Sequence, residues 1–137
     1  MRRFLLVIAL LAAPATAQMR QTPLQMMTEM GVAPDPEARR AAIEAAAAHP
    51  LGSARNPVRV SGPQGQQAYL ARLRCADGQP PRIGQRANTG MGPFGTIVDA
   101  YALDCGRAAP GQVRVAMDMY HDDHVETGAP DGFTIVP

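Results

Sequence analysis

Potential metal ligands are concentrated in one short stretch of the chain, between Asp118 and Glu126. The stretch reads Asp-Met-Tyr-His-Asp-Asp-His-Val-Glu, which places two imidazoles and four carboxylates within nine residues. Imidazole and carboxylate groups are the ligands that Zn²⁺ and other divalent metals take in proteins. One hypothesis is a divalent-metal site, or a metal-dependent hydrolase, built from His121, His124, Asp118 and Glu126. Because the spacing dictates no third and fourth ligand, the favoured interpretation is a solvated polar turn, in which aspartates are common.

Two further patterns offer weaker chemistry. Met117, Met119 and His121 share one face of a predicted strand and could ligate copper, although methionine at alternate strand positions more often fills a core. Residues 90–95 read Gly-Met-Gly-Pro-Phe-Gly and match the dinucleotide-binding fingerprint literally. That fingerprint requires a helix after it, whereas an alternating β-branched segment follows here. The pattern therefore indicates a glycine-rich turn.

No complete enzymatic constellation is present in the sequence. Neither of the two serines lies in a Gly-x-Ser-x-Gly context. Asp99 and Asp118 could act as a carboxylate pair, and Asp99 falls by parity on the apolar side of its predicted strand. The other interpretation of Asp99 is an ion pair with an arginine such as Arg72 or Arg74. The sequence favours a protein without enzymatic activity.

The first 17 residues have the three parts of a secretory signal peptide. A basic Met-Arg-Arg start is followed by an apolar run over residues 4–13 and by Pro-Ala-Thr-Ala, which ends at Ala17. The apolar run is too short to span a bilayer, so the alternative is a buried core helix. We expect cleavage near Ala17 and export to the periplasm or the medium. No cysteine follows the run closely enough for a lipid anchor, so we expect no membrane insertion after cleavage.

Charge and cysteine content narrow the class of partner. The full chain has a net charge of +1, and loss of Arg2 and Arg3 would leave eleven arginines against twelve acidic residues, a net charge of −1. This near-neutral balance does not indicate a basic surface of the kind that binds nucleic acid.

Cys75 and Cys105 are the only cysteines, and an even count in an exported protein predicts one disulfide. A redox-active pair is the alternative, but the Cys-x-x-Cys spacing is absent.

The secondary-structure signals divide the mature chain into a helical segment, 18–50, and a β-rich domain, 51–137. One helix is predicted to begin at Thr22-Pro23 and end at Gly31, and a second to begin at Asp35-Pro36 and end at His49-Pro50. Alternating apolar residues predict strands in the second segment. These strands cover residues 58–60, 67–75, 96–105, 113–119 and 133–136. The predicted fold is α+β, with two N-terminal helices, one disulfide and a small antiparallel sheet of four to five strands.

The block between residues 49 and 134 resembles a group of small secreted or periplasmic bacterial proteins built on a domain of unknown function. The resemblance is carried by residues 56–60, 62–65, 68–75, 92–99, 117–121 and 130–133. It implies an exported domain and supplies no catalytic residues. We therefore expect a binding or interaction domain for an envelope protein or a small ligand, without a cofactor unless the divalent metal is present. Its surface is predicted where the 90–95 loop meets the 118–124 segment, at Phe94, Asp99, Asp118, Tyr120 and His121.

Overall fold

A four-stranded mixed sheet forms the centre of the fold, in a computed structural model that describes residues 20–137. The predicted signal peptide, residues 1–17, lies outside the described residues. The helices are α1 (Pro23–Glu29), α2 (Pro36–Ala46) and α3 (Gly62–Arg72). The strands are β1 (Val58–Arg59), β2 (Leu73–Arg74), β3 (Arg82–Met91), β4 (Ile97–Asp104), β5 (Gln112–Asp118) and β6 (Thr134–Ile135). No helix within residues 20–137 is long and apolar enough to cross a membrane.

The order of strands in the main sheet is β1-β5-β4-β3, and β2 pairs with β6 in a separate two-stranded sheet. The β3–β4 and β4–β5 pairs are antiparallel, whereas β1 runs parallel to β5 with Val58 opposite Met117. The α+β class is therefore observed, but the prediction of a wholly antiparallel sheet is wrong at β1. The chain leaves β1 through α3 and returns to its side only as β5, and such a long connection permits a parallel pair.

The predicted strand over residues 67–75 is wrong, because most of this segment is α3. The buried residues Gln66, Tyr69, Leu70 and Leu73 follow the spacing of one helical face. Pro63 occupies the first turn of α3, where its missing N–H costs no hydrogen bond. The period-two pattern that predicted a strand shares two of these residues, so the same apolar positions satisfied both periods.

Strand β3 was not predicted, because nearly all of its residues are exposed. It lies at the edge of the sheet and pairs with β4 alone, through a register that shifts twice. Residues 92–96 connect β3 to β4. The 90–95 loop is thus the last two residues of β3 and most of this hairpin turn, in keeping with the turn that the sequence indicates. Gly92 is required there, because a Cβ atom at this position would lie 2.2 Å from Cγ2 of Val98.

The core lies between α3 and one face of the sheet. Its buried members are Val58, Val60, Tyr69, Leu70, Leu73, Cys75, Tyr101, Leu103, Val115, Met117 and Phe133. The predicted disulfide is confirmed: Cys75 and Cys105 are bonded, with their Cα atoms 5.8 Å apart. This bond connects the end of β2 to the end of β4 and so joins the two sheets on the core side.

Candidate functional site

The two segments that sequence reasoning singled out, 90–95 and 118–124, contact each other. The Phe94 ring packs edge-on against the His121 ring, with centroids 5.3 Å apart. Two residues further along the hairpin, Thr96 Oγ1 donates a hydrogen bond of 2.5 Å to Asp118 Oδ2. All four side chains are buried. The contact between the segments is therefore an internal one that fixes the hairpin to the end of β5.

Asp118 is a fully buried carboxylate whose oxygens are both occupied. Its Oδ2 accepts from Thr96, and its Oδ1 accepts from the backbone N–H of Tyr120 at 3.0 Å. The guanidinium of Arg39, on α2, donates to the carbonyl of Tyr120. Burial raises the pKa of the Tyr120 hydroxyl, and the negative charge of Asp118 adds to that shift. These hydrogen bonds connect the turn that follows β5 to Thr96 and to α2.

His121 lies beside this carboxylate as a buried ring. Its backbone N–H donates to the Val60 carbonyl at 3.1 Å. Its Nε2 is 3.6 Å from Asp118 Oδ1 and has no hydrogen-bond partner among residues 20–137. Burial lowers the pKa of the His121 ring, and this effect exceeds the opposing attraction of Asp118. The shift favours the neutral ring, which packs as part of the interior.

The four predicted metal ligands form two separate pairs. One pair is His121 with Asp118, and the other is His124 Nε2 with Glu126 Oε2 at 3.4 Å. The two imidazole rings lie 6.5 Å apart between centroids, and Glu126 also accepts from backbone N–H groups of residues 127 and 128. Within residues 20–137, no group of three or more His, Cys, Asp or Glu side chains is arranged to hold a metal.

Asp99 is buried on the core face of β4. The arginine beside it is Arg86, and not Arg72 or Arg74 as the sequence suggested. Asp99 Oδ2 accepts from Gln66 Nε2 at 3.0 Å and lies 3.7 Å from Arg86 NH1. Arg86 comes from the neighbouring strand β3, whereas Arg72 donates to backbone carbonyls near the C-terminus. Because Val98, not Asp99, is opposite Asp118 in the register, the two aspartates lie on opposite faces of the sheet. They do not form a carboxylate pair.

An open cleft of about 470 Å³ lies between α1, the beginning of α3 and the end of β5. Four methionine side chains line it, which we call the methionine cleft: Met26, Met27, Met30 and Met119. The remaining lining residues are Arg20, Gln21, Thr22, Pro23, Ser61, Gly62, Pro63, Gln64 and Tyr120. Met26 is 44% exposed and Met30 is 67% exposed, so their side chains are accessible from solvent.

The two walls of the methionine cleft are held differently. On one side, the N–H of Gly62 donates to the Met119 carbonyl at 2.8 Å, and Ser61 and Tyr120 form a β-bridge. On the other side, α1 buries no residue. A capping box at Thr22 stabilises the start of α1, and Thr22 Oγ1 also donates to Asp122 Oδ2 at 2.8 Å. The wall formed by residues 61–62 and 119–120 is thus hydrogen-bonded at the end of the sheet. The other wall is the short helix α1, which is attached through Thr22 and buries no residue.

Sequence reasoning missed this cleft. Of the three residues considered as copper ligands, Met117 is fully buried in the core and His121 packs against Phe94. Met119 does line the cleft, but its neighbours there come from α1. The signal was the Met-Met-Thr-Glu-Met run of residues 26–30, which lies within the helix predicted to begin at Thr22-Pro23.

A second groove, of about 620 Å³, lies at the opposite end of β3, β4 and β5. Its lining includes the small residues Gly84 and Ala102 and the cations Arg82 and Arg114. Arg82 forms an ion pair of 2.5 Å with Asp104 in the same groove, so its charge is already partnered.

Comparison with protein-family models, with curated proteins and with solved structures gives no significant match to this chain.

Proposed function

We propose that the protein is an exported, non-enzymatic binding domain and that its ligand site is the methionine cleft. Export is supported by the signal-like residues 1–17 and by the Cys75–Cys105 disulfide, since disulfides persist in oxidising compartments. The N-terminal helical segment then supplies one wall of the site, and the β-rich domain supplies the other.

The observation that carries this proposal is one concave site lined by four methionines, of which Met26 and Met30 are exposed. A binding surface must be open to its ligand, and Met26 and Met30 are largely exposed. By contrast, Phe94, Asp99, Asp118 and His121 are all less than a tenth exposed. Among the residues first considered for binding, Tyr120 is the one that lines the cleft.

The size of the cleft favours a small ligand over a large protein surface. Sites for small molecules are commonly clefts of roughly 300–1,000 Å³, lined by apolar groups with a few polar ones. The methionine cleft falls in this range. Methionine has three rotatable bonds and a polarisable sulfur, so its side chain adapts to what it contacts.

A non-enzymatic function is supported by the state of the groups that could carry out chemistry. Asp118 and Asp99 are each engaged by protein donors. His121 is buried against Phe94, and the polar residues of the cleft are neutral or cationic. Among the described residues, neither these buried groups nor the polar residues of the cleft place a base beside a nucleophile, as acid–base catalysis requires.

The proposal is tested with a small apolar anion, 8-anilinonaphthalene-1-sulfonate, and with protein labelled with ¹³C at the methionine methyl groups. We expect binding of the dye to shift the methyl resonances of Met27, Met30 and Met119. The resonance of Met91, on the β3–β4 hairpin and 72% exposed, is the internal control and should stay in place. Shifts that appear at Met91 but not at the cleft methionines would show that the cleft is not the binding site.

A further inference from the structure

We infer that the methionine cleft binds a soft monovalent metal ion, Cu⁺, through the thioether sulfurs of Met26, Met27, Met30 and Met119. This inference rests on the proposed function in one respect, because it takes the same cleft as the ligand site. It goes further by assigning the chemical class of the ligand.

The chemistry of the lining residues selects the type of ion. Soft thioether ligands favour Cu⁺, whereas carboxylate, carbonyl and water ligands suit Mg²⁺, Ca²⁺ and Mn²⁺, and imidazole suits Zn²⁺. Within the part of the chain that the structure describes, residues 20–137, the lining of the methionine cleft contains no histidine, aspartate, glutamate or cysteine. Both cysteines of the chain are bonded to each other. Sulfur in this cleft is therefore available only as thioether.

The lining methionines come from both walls of the cleft. Met26 and Met30 are four residues apart, and Met27 and Met30 are three apart, so they are neighbours on the surface of α1 and the turn that ends it. Met119 approaches from the opposite wall, where its carbonyl accepts from the N–H of Gly62. An ion in the cleft would thus connect α1 to the end of β5.

The distribution of methionine in the chain points the same way. Residues 20–137 contain six methionines, and four of them line this one cleft. Packing accounts for Met117, which is fully buried. It does not account for Met26 and Met30, because a side chain that is 44% or 67% exposed fills no core gap. Met119 packs partly against the core, so Met26 and Met30 are the most accessible of the four methionines.

The charge of the cleft sets how firmly the ion is held. Among residues 20–137, the lining contributes the cation Arg20 and no anion, and the carboxylate of Asp122 is bonded to the lining residue Thr22. Binding therefore rests on the thioether bonds alone.

The test uses protein exported to the bacterial periplasm and purified from it, so that the chain is in its natural processed and oxidised form. Cu⁺ is added without oxygen in the presence of ascorbate and the chromophoric competitor bicinchoninate. We expect one equivalent of Cu⁺ per chain, with no displacement by Zn²⁺. Ag⁺, which has the same charge and a preference for sulfur, should shift the methyl resonances of Met26, Met27, Met30 and Met119.

Leucine variants separate metal binding from apolar binding. Met26→Leu together with Met30→Leu keeps the apolar volume but removes two sulfurs, and we expect at least a tenfold loss of affinity for Cu⁺. Met91→Leu makes the same exchange outside the cleft and should leave the affinity unchanged. Both positions in the double variant are exposed, so circular dichroism and thermal denaturation should match the wild type.

The outcomes distinguish the two proposals. If the wild type and the double variant both bind the dye but neither retains Cu⁺, the copper inference is wrong and the binding cleft stands. If the wild type retains Cu⁺ and the double variant and Met91→Leu retain it equally, the ion is bound elsewhere and the inference is overturned. If the dye and Cu⁺ both fail to bind, both proposals are wrong.

Discussion

Thr22 Oγ1 donates a hydrogen bond of 2.8 Å to Asp122 Oδ2, between residues 100 positions apart in the sequence. The same hydroxyl accepts from the backbone N–H of Gln25 in the capping box of α1. One side chain therefore starts the helix and attaches it to the segment after β5. Because α1 has no buried residue, this link contributes much of what holds one wall of the methionine cleft in place.

Thr22→Val is expected to loosen α1 without unfolding the domain. The variant keeps the shape of the side chain but removes both hydrogen bonds, and loss of a helix cap costs about 1 kcal/mol. Backbone amides of α1 should exchange with deuterium about fivefold faster or more, while those of β4 and β5 stay protected. Thr28→Val, which removes an exposed bond within the same helix, is the control. Equal exchange rates in the two variants would contradict the assigned role of Thr22.

The sheet was predictable from the sequence only where the larger apolar residues alternate along a strand. Strands β4 and β5 are buried on both faces over residues 98–101 and 115–118, but their larger side chains on the core face, such as Tyr101, Leu103 and Met117, repeat with period two. Strand β3 could not be found in this way, because an exposed edge strand has no apolar pattern. At α3, Tyr69 and Leu73 fit a strand and a helix equally well, and only Gln66 and Leu70, buried with them, decide for the helix.

The candidate site was less predictable than the fold. The contact of the 90–95 loop with the 118–124 segment follows from the β4–β5 register, which places Val98 opposite Asp118. Sequence reasoning placed these segments together but did not establish that Phe94 and His121 would point inward. The methionine cleft depends on where α1 packs against Met119, and this position is set by tertiary contacts such as the Thr22–Asp122 bond.

Thr96→Val should destabilise the protein by about 1–3 kcal/mol, because it removes a donor from a fully buried carboxylate oxygen. Asp118 Oδ2 accepts from Thr96 Oγ1, and no other hydrogen bond to this oxygen is present among the described residues. Urea denaturation measures the free energy of unfolding. Thr89→Val is the matched control on the same hairpin, since Thr89 Oγ1 donates only to a backbone carbonyl at the edge of the sheet. A loss in Thr96→Val no larger than in the control would show that Asp118 is stabilised by other groups.

Stability should fall in mild acid because of His121. Burial lowers the pKa of this ring in the folded protein below its ordinary value of about 6.5. The stabilisation that follows from this shift is present above about pH 6.5 and is lost as the pH falls from there through the folded pKa, because the unfolded state takes up the proton first. The charges around the ring partly offset one another, since Asp118 favours the protonated form and Arg39 and Arg59 oppose it.

The urea midpoint measured at several pH values between 8 and 5 tests this dependence. One proton taken up on unfolding changes the free energy by at most about 1.4 kcal/mol per pH unit. His121→Gln should flatten the decline, whereas His124→Gln, at a more exposed ring, should leave it in place. A decline of the same slope in both variants would assign the proton to a different group.

Loss of the Cys75–Cys105 disulfide should lower the free energy of unfolding by about 3–4 kcal/mol, the value expected for closing a loop of this length. The bonded cysteines are 30 positions apart. The effect should be largest near the C-terminus, because the β2–β6 sheet has only two residues in each strand and is joined to the main sheet through this bond. Hydrogen exchange of residues 133–136 and urea denaturation should therefore both respond in a Cys75→Ala, Cys105→Ala double variant. Dithiothreitol should reproduce the change in the wild type and add nothing to the double variant. If the reductant instead destabilised the double variant further, the loss would not come from this bond.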